Sequence, residues 1–270
     1  MNPVSPAPDR RPPEPRRGAW SGLWTCFGVI VLVAAWEMAS RALGSVLILP
    51  GPLPVLARFF ALVHTRPFRL ALFNSFFRVL LGLLIAAPLG AAAGIAAALD
   101  KPRSGAFLKP LFQVISATPV MSVILIAFLW FGQERTPIFT SFLMVFPVMA
   151  ANTIAGIDAV DPKLVEMAAV YALSRQERLK ALYLPSIVPF IVGGLRSAFS
   201  LCWKVVVAAE VLVQPLRALG TGMQRAKAQL ETPELFAWTA ATVIAAALSQ
   251  ALLTVLLRIL TARSHKGKRV

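Results

Sequence analysis

Long apolar stretches alternate with shorter polar segments along most of the 270-residue chain. Each long stretch can cross a hydrocarbon layer about 30 Å thick, which takes roughly 20 apolar residues in a helix. The pattern predicts an all-α fold, a polytopic membrane protein with six transmembrane helices. Their predicted bounds are 20–43, 70–99, 107–131, 137–159, 186–213 and 235–260.

Small residues recur every fourth position in the second predicted span. Such spacing places small side chains on one helix face, where a neighbouring helix can approach closely. The residues of this stripe are Gly82, Ala86, Gly90, Gly94 and Ala98.

Composition agrees with a membrane protein, since 57% of residues are apolar and only 14% are charged. A typical soluble domain has about 25% charged residues. The net charge of +15 fits basic cytoplasmic loops better than nucleic-acid binding, because no polar segment interleaves aromatic and basic residues. Cys26 and Cys202 lie inside apolar runs, which predicts neither a disulfide nor a metal site.

Basic residues also indicate the orientation. With the N-terminus inside, 15 Lys and Arg residues fall in inner segments and 8 in outer ones, so both termini are predicted to be cytoplasmic. Residues 1–19, rich in Pro and Arg, are predicted to be a disordered cytoplasmic N-terminus. Residues 261–270 form a basic cytoplasmic tail.

One charged segment, residues 161–185, separates the fourth and fifth spans and is predicted to be a cytoplasmic helical hairpin. Asp161 is a candidate N-cap, followed by Pro162 at the first helical position. Ser174 and Glu177 fit a capping box that opens a second helix, expected to end before Pro185. A merely solvated loop is the alternative, although loops of this length are uncommon.

The stretch "EMAAVYALSRQERLKALYLP" resembles the signature loop of ABC importer permeases. Glu166, Ala168 and Ala169 lie at or beside its Glu-Ala-Ala opening, and Leu184 and Pro185 close it at the family spacing. Ala172 replaces the usual Gly, and Met167 replaces one Ala. The phrases "LWFG" (129–132), "FPVMAANTIAGI" (146–157) and "VVVAAEVL" (205–212) are similar to the nitrate, sulfonate and taurine branch. The likeness covers residues 70–260, the permease core.

This resemblance implies a type I ABC importer permease fold in a bacterial inner membrane. The resemblance further implies that the permease works as a homodimer with two ATPase subunits, which bind ATP and Mg²⁺, and with an extracytoplasmic solute-binding protein. The hairpin would be the coupling element. The residues implied in coupling are Glu166, Met167, Ala168, Ala169, Ala172, Leu173, Leu184 and Pro185. Ala172 would be strained if the turn requires a positive φ.

Charged and polar residues of the fifth span form a candidate translocation path. Arg196, Ser200, Lys204 and Glu210 fall within a sector of roughly 120° at 100° per residue. Charge at this depth is costly, so the sector should face protein or water. Two interpretations remain open: Lys204 pairs with Glu210 or Glu37, or the sector is a cationic lining for an anionic solute.

Other functional classes receive less support from the sequence. An ion-coupled secondary transporter would show inverted repeats with broken helices, and the two halves are not convincingly similar. A membrane enzyme lacks a recognisable catalytic arrangement, and the chain has no GxxxxGK[ST] phosphate loop. The polar stretch around "GTG" (220–222) is expected to form an outer gate or a docking face for the solute receptor.

Overall fold

The computed structural model describes residues 20–266, and all the regular structure in this range is helical. The predicted disordered segment 1–19 and the last four residues of the tail lie outside the described range. The helices are α1 Trp20–Leu43, α2 Pro52–Val63, α3 Arg66–Leu99, α4 Ala106–Ala117, α5 Val120–Asp158, α6 Pro162–Val170, α7 Arg175–Arg178, α8 Leu184–Val213, α9 Leu219–Ala228 and α10 Thr232–Lys266. Two wide helical turns, Lys101–Gly105 and Leu179–Tyr183, lead into α4 and α8.

Five helical segments in residues 20–266 are long and apolar enough to cross a membrane. They are Cys26–Leu43, Arg66–Leu99, Val120–Asp158, Gln176–Val213 and Thr232–Leu260. The third contains a break at Gly132, whose φ of 67° and ψ of −174° are not helical. Gly adopts a positive φ without the steric cost that a side chain brings.

The chain folds back at Gly132, so α5 consists of two helical arms, residues 120–131 and residues 133–158. Val123 and Met144 belong to one buried cluster with Val205, whereas 21 residues of straight helix would separate them by roughly 31 Å. The rings of Phe131 and Phe139 contact each other across the bend, with centroids 4.6 Å apart and planes tilted by 34°. The third predicted span is therefore α4 plus the first arm, interrupted before Val120, and the fourth is the second arm.

The predicted small-residue stripe of α3 is confirmed, and it packs against the second arm of α5. All five residues of the stripe are buried. A side chain added at Gly90 would place its Cβ 2.6 Å from the carbonyl oxygen of Phe146, and one at Gly94 would lie 2.6 Å from that of Ala150. The two helix backbones therefore approach as closely as glycine allows.

Helix α8 lies against α3, the second arm of α5 and α10, and its apolar face forms much of the core. Trp203 of α8 donates a hydrogen bond from Nε1 to Ser249 of α10, at 3.0 Å. Helix α1 is largely exposed along its length. It contacts the rest of the chain near its end, where Trp36 stacks on Phe236 and hydrogen-bonds the carbonyl of Pro50.

Candidate functional sites at opposite ends of the helices

The hairpin, residues 161–185, begins with the two caps predicted from the sequence. The Asp161 side chain accepts a hydrogen bond from the Lys163 amide at 2.9 Å, and Pro162 occupies the first turn of α6. Ser174 and Glu177 form the reciprocal capping box. The Ser174 amide donates to Glu177 Oε2 at 2.8 Å, and the Glu177 amide donates to Ser174 Oγ at 3.3 Å. Both predictions are confirmed.

Helix α6 ends in a Schellman motif, and Ala172 occupies its left-handed position. The Leu173 amide donates to the Ala168 carbonyl, and the Ala172 amide donates to the Ala169 carbonyl, both at 3.0 Å. Ala172 has a φ of 53°. Glycine is preferred here because a Cβ in this conformation costs about 1–2 kcal/mol. The strain expected from the replacement of the signature glycine is thus present.

The second helix of the hairpin does not end before Pro185, and that prediction is wrong. After α7 the chain passes through the wide turn Leu179–Tyr183 directly into α8. Pro185 has no amide hydrogen and would break a regular helix. The wide turn accommodates it, because the Leu184 amide bonds five residues back to Leu179 and Ser186 Oγ caps the Leu182 carbonyl at 2.9 Å.

The residues implied in coupling do not all lie on one surface. Glu166, Met167, Ala169 and Ala172 are exposed on α6 and its turn. Ala168 is buried, at 3% exposure, so of the two signature alanines only Ala169 is open to a partner. Leu173 is half-buried. Leu184 and Pro185 are exposed but lie in the first turn of α8, beyond the wide turn.

Four apolar side chains are exposed along the hairpin, and the sequence analysis had singled out only Met167 among them. Leu164, Met167 and Tyr171 follow a spacing of three and four residues, and Val170 lies beside them. Their exposed fractions are 42%, 51%, 73% and 84%, in the order Leu164, Met167, Tyr171, Val170. We call these four residues the apolar stripe. The i, i+3, i+7 spacing in α6 could have indicated it.

A buried charge cluster lies at the opposite end of α3 and α8. Arg78 of α3 donates from Nη1 to Glu210 Oε1 of α8 at 3.0 Å, and from Nη2 to Glu134 Oε2 of α5 at 2.5 Å. Ser75 donates to Glu210 at 2.8 Å. Glu210 is 0% exposed and Arg78 5%, whereas the Glu134 side chain, at the edge of the cluster, is 54% exposed. We call Ser75, Arg78, Glu134 and Glu210 the charge cluster.

The charge cluster also holds the start of α9. The Leu219 amide donates to Ser75 Oγ at 3.0 Å, and the Gly220 amide donates to Glu210 Oε2 at 3.2 Å. These are two of the amides that a helix leaves unpaired at its N-terminus. A Cβ at Gly220 would lie 2.6 Å from that of Glu210, so a side chain at this position would push the helix away from its cap.

The four fifth-span residues expected to line one path lie in different environments in the structure. Glu210 is paired with Arg78, and Glu37 with Arg41 at 2.6 Å, so neither neutralises Lys204. Lys204 and Ser200 are exposed on α8. Arg196 is half-buried beside α10, where its carbonyl accepts from Gln250 at 3.0 Å. Glu210 lies at one edge of the predicted sector and points into the protein.

The family to which the chain belongs follows from its similarity to known proteins. The sequence model of the family described as binding-protein-dependent transport system inner membrane component matches residues 86–270. The chain belongs to this family. It is therefore a permease subunit of an ABC importer, and the hairpin lies within the matched region.

Several similar proteins are also named as transport permeases. A taurine transport system permease protein of Escherichia coli is 31% identical, covering 86% of both chains. A putative aliphatic sulfonates transport permease protein of Bacillus subtilis is 30% identical, covering 75% of this chain and 73% of the relative. A nitrate import permease protein of Synechococcus elongatus is 31% identical, covering 67% and 68%.

Solved structures of ABC importers share the fold. An amino acid ABC transporter crystallised with histidines matches with a TM-score of 0.62 at 17% identity, covering 76% of this chain and 98% of that one. A bacterial alginate ABC transporter in complex with its pentasaccharide-bound periplasmic protein matches with a TM-score of 0.58 at 18% identity, covering 91% and 97%. The permease is accordingly an all-α, multi-pass membrane protein.

Proposed function

We propose that two copies of this permease form the membrane channel of an importer for a small anion. Each copy binds an ATPase subunit, which holds ATP and Mg²⁺, and the pair receives solute from an extracytoplasmic binding protein. The family description and the alginate transporter's complex with a periplasmic protein support this composition. The permease itself supplies the path and the coupling surface rather than the hydrolysis.

The apolar stripe on the hairpin carries the proposal for the ATPase contact. Met and aromatic side chains are enriched in protein interfaces, and exposed apolar patches mark docking surfaces. Tyr171 and Val170 are the most exposed of the four. Charged side chains beside the stripe, Glu166 and Lys163, fix the register of the partner. The stripe would enter a groove of the ATPase, with Ala169 allowing close approach.

The hairpin lies on the cytoplasmic side in this proposal. It shares its end of the bundle with the turn after α3, because Lys101 pairs with Asp158 at 3.1 Å. The bias of basic residues toward these segments supports this orientation, with the N- and C-termini also inside. The charge cluster and α9 then lie toward the extracytoplasmic side, where α9 could contact the binding protein or close the path.

The anionic substrate class is supported by the relatives and by Lys204. The relatives' names refer to sulfonates, taurine and nitrate. Lys204 is exposed on α8, and no carboxylate lies within ion-pair distance of it in the described part of the chain. Lys204 lies well inside the fifth predicted span, where a cation facing lipid costs at least about 2.5 kcal/mol, so Lys204 should face a water-filled path. Ser200 and Arg196 precede it on the same helix, toward the cytoplasmic end.

Co-purification tests the proposed function. The tagged permease, expressed with its genomic neighbours, should retain an ATPase subunit, and Glu166→Arg should lose it. Arg135→Glu, at the opposite end of the molecule, is the control and should retain the ATPase. If wild-type permease folds but never binds an ATPase, the proposed assembly is wrong.

Solute uptake tests the path. Lys204→Ala should lower uptake of the transported anion by roughly tenfold, because a charge-assisted contact is lost, whereas Lys204→Arg should keep most of it. ATPase association should be unchanged in both variants. Normal uptake by Lys204→Ala would remove this residue from the path.

A further inference from the structure

A cavity of about 660 Å³ separates the turn after α3 from the end of the hairpin. Its volume is in the range of small-molecule sites. The residues that line it are Leu99, Asp100, Pro102, Arg103, Arg178 and Tyr183. Neither Lys204 nor any residue of the apolar stripe belongs to this lining.

The cavity is basic, and its arginines are not neutralised by the protein. Arg103 and Arg178 have no carboxylate within 4.0 Å among residues 20–266. Asp100 is the one acidic residue of the lining, and its carboxylate accepts a hydrogen bond from Ser104 Oγ at 3.4 Å. Two guanidinium groups against one carboxylate leave a net positive charge. Lys101 next to the cavity is already paired with Asp158.

The Arg178 side chain also has a buried donor without a partner among the described residues. Its Nε atom is buried, and no acceptor is within hydrogen-bond distance in the described part of the chain. Buried donors of this kind normally have an acceptor, since the loss of hydration is otherwise uncompensated. A planar guanidinium fork fits the paired oxygens of a phosphate group.

We propose that this cavity binds a phosphate-type oxyanion, held by the guanidinium groups of Arg103 and Arg178. Tyr183 belongs to the same lining, and its hydroxyl can act as an additional donor. An occupant would join the turn Lys101–Gly105 to the wide turn that leads into α8, and so restrain the hairpin. The headgroup of an anionic phospholipid and free inorganic phosphate carry the same chemistry.

Two binding measurements on the purified permease test the site and distinguish these sources. Inorganic phosphate is titrated calorimetrically into permease freed of phospholipid in a neutral detergent. Retention of phosphatidylglycerol is measured by native mass spectrometry after incorporation into nanodiscs with phosphatidylcholine. We expect saturable binding in at least one measurement, weakened roughly tenfold or more by the double variant Arg103→Gln/Arg178→Gln.

The matched control is Lys109→Gln/Lys180→Gln, which removes the same charge at exposed positions outside the cavity lining. It should leave binding unchanged. Phosphate binding without phospholipid identifies a free anion, and selective phosphatidylglycerol retention identifies a lipid. The proposal is overturned by the absence of saturable binding in both measurements, or by equal losses in both double variants. Loss of ATPase association without oxyanion binding would instead assign the cavity to the protein interface, also overturning it.

Neither binding measurement requires the ATPase or transport. Failure of the oxyanion site therefore leaves the co-purification result, and with it the proposed function, unaffected. Unfolding midpoints of both double variants should match wild type, because each changes only side chains outside the packed core.

Discussion

The hairpin and the start of α9 provide acceptors for the first amides of a helix in different ways. Both leave helix amides that need acceptors. In the hairpin the acceptors are Asp161, Ser174 and Glu177, within three residues of the amides they cap, and these bonds are exposed. At α9 the acceptors are Ser75 and Glu210, 144 and 10 residues away along the chain, and these bonds are buried.

The difference bears on how the two ends can move. Exposed local caps contribute about 1 kcal/mol each and can re-form after a small displacement. A buried ion pair is costly to break, because each charge left alone has lost its hydration. We therefore expect the charge cluster to hold α3, α5, α8 and α9 as a fixed frame, and the hairpin to adjust when it binds a partner.

Removal of one member of the charge cluster should have the largest effect. Glu210→Ala leaves Arg78 without its buried partner and the Gly220 amide without its acceptor, which should lower stability by about 3–5 kcal/mol. Thermal unfolding in detergent, followed by tryptophan fluorescence, measures it. Glu37→Ala removes the exposed partner of Arg41 and should cost less than about 1 kcal/mol. Equal losses would mean that burial does not distinguish the two pairs.

A substitution at the contact between α3 and α5 should have the second-largest effect on stability. Gly94→Ala inserts a methyl group 2.6 Å from the Ala150 carbonyl oxygen and should cost about 1–3 kcal/mol. Gly193→Ala is the control, because nothing lies within 4 Å of its added Cβ. That variant should be neutral or more stable by up to about 1 kcal/mol, since alanine favours the helix. If Gly94→Ala is as stable as wild type, α3 and α5 can move apart at this point without loss of packing energy.

Loss of a local cap should have a smaller and more confined effect. Ser174→Ala removes the side-chain acceptor of the Glu177 amide and should destabilise the hairpin by about 1 kcal/mol. Hydrogen exchange should accelerate in residues 174–183 while the unfolding midpoint stays unchanged. Ser197→Ala, an exposed serine of α8, is the control and should leave hairpin exchange as it was. Destabilisation of the whole protein would contradict the local character of the cap.

The turn of the hairpin offers a pair of substitutions with opposite expected signs. Ala172→Gly should stabilise the hairpin by up to about 1 kcal/mol, because it relieves the positive φ. Ala169→Gly, in the helix just before it, should destabilise by a similar amount. Local hydrogen exchange distinguishes the two. If both variants slow or both accelerate exchange, the assignment of backbone strain to Ala172 is wrong.

Local sequence patterns were sufficient to predict the small-residue stripe of α3, the hairpin caps and most of the spans, although the third predicted span is interrupted before Val120. Each depends on residues within a few helical turns of one another. The same reasoning failed at Pro185, because a proline normally ends a helix and the wide turn that accommodates it has no sequence signature of its own.

Partners distant in sequence could not be predicted in this way. A charge in a span requires a partner, and the sequence analysis considered Lys204 as the partner of Glu210 or Glu37, whereas the structure pairs Glu210 with Arg78. The return of the chain at Gly132 also brings Glu134 to Arg78, which no local sequence pattern indicates. Lys204 is thereby left exposed on α8. Burial of Ala168 likewise depends on how α6 rests against the bundle, which its own residues do not determine.

Hydrogen exchange of the permease in nanodiscs, with and without its ATPase, tests the central claim most directly. We predict that ATPase binding slows exchange across residues 162–183, while the Leu219 and Gly220 amides are protected equally in both states. If the complex forms and hairpin exchange is unchanged, the hairpin is not the docking element and the proposed division between a fixed frame and an adjustable contact is wrong.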